Sequence, residues 1–84
     1  MEKMIKEYID TIDEYTIDKY AKSQNINLND KELKVIYLYL KNYWYIFLKE
    51  DPSDLFKELE TQIEEDNLNK IKNLYQKYKK KINY

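Results

Sequence analysis

The chain has no cysteine, histidine, glycine or arginine, and its one proline is Pro52. Without cysteine there are no disulfides and no thiolate metal sites, and a reducing cytoplasm is the expected compartment. Without histidine, the usual general base near neutral pH and the commonest transition-metal ligand are missing. Without glycine no phosphate-cradling loop can be built, and turns that need positive φ are hard to make. A β-rich fold of 84 residues would need several such turns, whereas a helical fold needs only a few loops. The expected fold class is all-α.

Ile, Lys, Asn and Tyr dominate, while Ala occurs once and Gly and Arg are absent. These are the residues of AT-rich codons, so a bacterial or phage origin is expected, and the ten tyrosines carry little functional meaning by number alone. Residues 1–84 form one expected domain, small enough to hide only about 60–65% of its unfolded surface. The start "MEKMIKEY" has no basic region followed by an apolar run, so no signal peptide is expected.

Periodicity and capping signals outline four helices, with a fifth if a break near "EDN" is a true turn. Met4, Ile5, Tyr8, Ile9 and Ile12 recur at three-and-four spacing on one face of the first. Thr16 is placed to cap the second, which ends near Asn25. In the third, Asn29 caps and Glu32 sits three residues on, a capping-box arrangement; this helix is expected to run to about Lys49. In "EDPSD", Asp51 suits the N-cap, Pro52 the first helical position and Asp54 the third, ahead of Leu55, Phe56, Leu59 and Ile63. Asn67 or Asp66 is the expected cap of the last segment.

The run "VIYLYLKNYWYIFL", Val35 to Leu48, is too short for a membrane span and is broken by Lys41 and Asn42. It is too long for an ordinary strand and follows a helix cap, so it reads as a helix. Leu33, Ile36, Tyr37, Leu40, Tyr43, Trp44, Phe47 and Leu48 share one face, with Val35, Leu38, Tyr39, Tyr45 and Ile46 on the other. A helix apolar nearly all round is expected to be enclosed, which makes this the central helix.

Little in the chain suggests chemistry. The carboxylate clusters "DTIDE", "EDPSD" and "EED" lack the alternation and glycine of a calcium loop, and read as caps and solvated faces. Ser23 and Ser53 have no histidine to activate them. No enzyme activity, catalytic residue, metal, cofactor or small-molecule substrate is expected.

Two surfaces remain as candidates. Residues 67–84 carry six lysines (Lys70, Lys72, Lys77, Lys79, Lys80, Lys81) and no acid, against nine lysines and sixteen acids before them. This amphipathic segment could touch nucleic-acid phosphates or an anionic membrane surface, or pack on the core with its lysines facing acids such as Glu60 and Glu64. The lack of Arg argues against base-specific reading, and the low isoelectric point against a dedicated nucleic-acid binder. A helix-turn-helix reading of residues 17–40 places the most apolar helix of the chain where a groove-reading face would be needed. The second surface is the far side of the central helix, where Tyr39, Tyr45 and Ile46 are candidate contacts for a second copy or another protein.

With "KYAKSQNINL", the capped "NDKELKVIYLYLKNYW", "DPSDLFKELE" and a Lys/Tyr-rich last helix in this order, the chain resembles small uncharacterised all-helical bacterial proteins grouped as a domain of unknown function. The likeness covers about residues 16–80. It implies a compact cytoplasmic helical domain and supplies no active-site residues. The expected function is a non-enzymatic interaction module, with polyanion contact through the last helix as the alternative.

Overall fold

The computed structural model describes the backbone of residues 2–82 and the side chains of residues 3–80. Five helices follow in order: α1 (Glu2–Thr11), α2 (Glu14–Ser23), α3 (Asp30–Lys49), α4 (Ser53–Leu59) and α5 (Glu65–Ile82). The described residues contain no strand. The all-α expectation holds, and residues 50–82 are two helices separated by a turn.

α1 turns Ile5 and Ile9 partly inward, followed by Ile12, but Met4 and Tyr8 are exposed, so its apolar face is narrower than the spacing predicts. Its C-terminal carbonyls are capped from α3: the Lys41 ammonium donates to the carbonyls of Ile9 and Asp10, both at 2.8 Å. A cation at this end also meets the negative pole of the helix dipole.

The cap of α2 is Asp13, not Thr16. Its carboxylate accepts the Thr16 N–H at 2.8 Å and the Thr16 hydroxyl at 2.7 Å. Both residue types cap well, and the helix starts earlier because Asp13 reaches the free N–H three positions on. At the other end Asn25 takes φ +62°. The Ile26 N–H reaches the Ala21 carbonyl at 2.9 Å and the Asn25 N–H reaches that of Lys22 at 3.1 Å. This is a Schellman closure, with Ala21 and Ile26 buried beside each other's backbone. In a chain without glycine, asparagine supplies the left-handed residue.

α3 begins with the expected capping box: Asn29 Oδ1 accepts the Glu32 N–H at 2.8 Å, and Glu32 Oε1 accepts the Asn29 N–H at 3.0 Å. The helix reaches Lys49 but is interrupted at Tyr43 (φ −128°, ψ 19°). The break falls in "NYWY", a run of residues from the weaker half of the helix-propensity scale.

α4 starts one residue later than expected. Pro52 is the N-cap, its carbonyl accepting the Phe56 N–H at 2.9 Å. Asp51 binds the Ser53 N–H at 3.0 Å and its hydroxyl at 2.5 Å, so it still satisfies the helix start, through a turn ahead of it. The chain then turns through residues 60–64, and the Glu64 carbonyl accepts the Leu68 N–H at 2.8 Å. Neither Asn67 nor Asp66 caps α5; Asn67 lies inside its first turns and is buried.

Leu59, Ile63 and Leu68 form the tightest cluster, with Val35, Ile36, Tyr39, Phe56 and Ile71 packed against it. Both α1 and α2 lie along α3. The expected enclosure of α3 is incomplete. Its only buried residue is Glu32, most of its apolar side chains are half-buried, and Leu38, Tyr43 and Tyr45 are exposed.

Candidate functional site

Lys34, Leu38, Asn42 and Tyr45 recur at four-, four- and three-residue steps and are all half-buried at most on the outward side of α3. Leu38 keeps 46% and Tyr45 43% of its surface in solvent, and the Tyr45 ring stands edge-on to Trp44 at 5.7 Å. Of the three residues expected here, Tyr45 is exposed and Ile46 half-buried. Tyr39 turns the other way: it packs on the Leu59 cluster, and its hydroxyl donates to Glu58 at 2.8 Å. Tyr43, unmarked as a contact in the sequence reading, is exposed with its ring 5.4 Å from that of Tyr39.

The lysines of α5 divide. Lys70 donates to the Asn25 carbonyl at 2.9 Å, closing the end of α2. Lys79 donates to the Tyr75 hydroxyl at 3.0 Å and to the Glu50 carbonyl at 3.3 Å. Lys72 lies 3.9 Å from the Glu60 carboxylate and 5.9 Å over the Phe56 ring. Lys77 and Lys80 are exposed, with no partner among the described residues. The side chain of Lys81 lies outside the described residues. The expected pairing with Glu60 is therefore found once, and backbone carbonyls take the other engaged ammonium groups.

Two arrangements were not legible in the sequence. The first is a buried polar hub. Besides the Asn29 N–H, the Glu32 carboxylate accepts the Glu64 N–H at 2.8 Å and the Asn67 amide at 3.2 Å, and that amide also donates to the Asn27 carbonyl at 2.9 Å. Three donors of the fold converge on this one carboxylate, which marks it as a structural joint.

The second is an apolar cavity of about 410 Å³ between α2, α3 and α5, reached also by side chains of α1 and α4. Phe47, Phe56 and Tyr75 make one wall, their ring centroids 5.4–6.1 Å apart and steeply tilted. The Tyr75 hydroxyl donates to the Phe47 carbonyl at 2.5 Å. Across the opening the Tyr20 hydroxyl donates to that of Tyr78 at 2.6 Å, joining α2 to α5. Burial and this bond push the Tyr20 phenol up to about 12. The alternating apolar positions show which residues turn inward; they carry no sign of whether those side chains meet.

Among the described residues no cluster of acidic side chains could hold a metal ion, and no helix is long and apolar enough to cross a membrane. Comparison with protein-family models, curated proteins and solved structures gave no match.

Proposed function

We propose that the protein is a non-enzymatic interaction module that binds a second copy of itself through the outward side of α3. The observation that carries this reading is the exposure of Leu38 and Tyr45 together on the outward side of the helix that is otherwise the most apolar in the chain. Large apolar side chains grouped on one element are an unfilled contact, and pairing of like surfaces about a two-fold axis is the simplest way to cover them. Tyrosine suits such a surface because it buries a large ring while its hydroxyl stays solvated.

Sedimentation across a concentration series tests the proposal. A monomer–dimer equilibrium that the paired substitution Leu38→Lys, Tyr45→Lys abolishes, with helicity retained, supports it. A strictly monomeric species at every concentration overturns it. Within α5 the polyanion alternative has Lys77 and Lys80 as the unengaged ammonium groups among the described residues, a thin basis for affinity that scales with the number of phosphates neutralised.

A further inference from the structure

A half-open apolar pocket lies between the helices of this chain. Protein cores fill space as densely as organic crystals, with few voids larger than a water molecule. A cavity of about 410 Å³ in an 84-residue chain is a large exception. The pocket opens to solvent past Tyr8 and Tyr78, and covering its apolar walls removes that surface from water. Something apolar from outside the chain is the natural filling, and pockets of this size between helices are where small ligands usually bind.

The lining narrows the chemistry. Among the described residues no lysine, aspartate or glutamate lines the cavity. Its interior hydroxyls are already committed, Tyr39 to Glu58 and Tyr75 to the Phe47 carbonyl. An ionised ligand would therefore be buried without a counter-charge or free donor, at heavy cost. Size gives a second limit, because a cavity of roughly 150 Å³ takes one benzene ring. The present volume matches two to three rings. Seven of the eighteen described lining residues are aromatic, and their tilted arrangement offers both faces and edges to a flat molecule. The exposed members of the lining, Tyr8, Thr16, Tyr20 and Tyr78, mark the opening, with the Tyr20–Tyr78 hydrogen bond across it.

We propose that this cavity binds an uncharged aromatic molecule of two or three rings. The site is separate from the outward side of α3, so it neither needs nor excludes the self-association described above.

The experiment is titration of the full chain with N-phenyl-1-naphthylamine, an uncharged fluorescent probe of the right size. The expected result is saturable one-to-one binding with a blue shift and a raised unfolding temperature. Ile17→Trp and Leu74→Trp reduce the cavity from opposite walls; each is expected to weaken probe binding at least tenfold, with unfolding staying cooperative at the same temperature or higher. Leu38→Lys with Tyr45→Lys is expected to leave binding unchanged. Three results overturn the proposal: no saturable binding to the unaltered chain, equal binding by whichever filled variant folds, or displacement of the probe by a long-chain alcohol and not by anthracene.

Discussion

One oxygen of the Glu32 carboxylate accepts the backbone N–H of Glu64 at 2.8 Å, joining the start of α3 to the start of α5 across 32 residues of chain. The other oxygen serves Asn29 and Asn67. Replacing Glu32 by Ala leaves these buried donors without acceptors, and hydrogen bonds to charged groups are the costly ones to lose. The expected loss is about 2–3 kcal/mol in urea unfolding. Glu32→Gln keeps one acceptor and is expected to lose about half of that. Equal stability of Glu32→Ala and the unaltered chain would contradict the hub.

Asn25 holds a positive φ that a Cβ-bearing residue without a helpful polar side chain resists. Asn25→Ala is expected to destabilise by about 1 kcal/mol, whereas Asn25→Gly should leave the midpoint where it is or raise it. Measuring both variants separates backbone geometry from loss of the amide.

Acid should weaken the fold through its caps. The Thr16 backbone N–H first of all, then its hydroxyl, holds the Asp13 carboxyl below the usual aspartate range; the Ser53 hydroxyl and N–H do the same for Asp51. A value lowered in the folded chain contributes stability that is complete above the ordinary aspartate value of about 3.9 and disappears as pH falls through the folded value. Thermal unfolding is therefore expected to be insensitive to these two groups from neutral pH to about pH 5, and to show their loss below that. Substituting Asn at both positions should flatten this acid limb.

Alkali acts through a phenol. With the Tyr20 phenol raised to about 12, its contribution is complete below the ordinary tyrosine value of about 10 and is lost as pH rises towards 12. Tyr20→Phe, which cannot ionise, should reduce the alkaline loss of stability seen by circular dichroism between these values. An unchanged alkaline limb would show that the pair across the cavity opening does not form.

The lysines of α5 are expected to separate by role. Lys70→Ala removes the cation closing α2 and should cost about 0.5–1 kcal/mol. Lys77→Ala and Lys80→Ala should each fall within about 0.5 kcal/mol of the unaltered chain, as exposed substitutions usually do. Uniform effects at all three positions would argue for a general charge term.

Local signals were legible where chemistry and partner lie within a few residues. The Asn29–Glu32 box, the stop near Asn25 and the helical run through Val35–Leu48 all depend on neighbours in sequence. Where two good capping residues stood three apart, Asp13 and Thr16, the choice depended on which one reached a free N–H, and type alone did not decide it. Long-range use was invisible. Nothing in "NDKE" says that Glu32 also serves Glu64, nor in "NKIK" that Lys70 seals α2 rather than meeting solvent. Tyr39 and Tyr45 are both tyrosines on one apolar helix, and only packing turns the first to the core and leaves the second outside.

The Lys41 clamp has a mechanical consequence. Among its described residues α1 carries no buried side chain, and its last turn is pinned to α3 by an ammonium on two carbonyls. The helix lies along α3 without a buried side chain of its own, so its amides are expected to exchange before those around the joint at Glu32. Since Tyr8 stands at the mouth of the pocket, loosening of α1 is expected to widen the way in without disturbing the joint at Glu32.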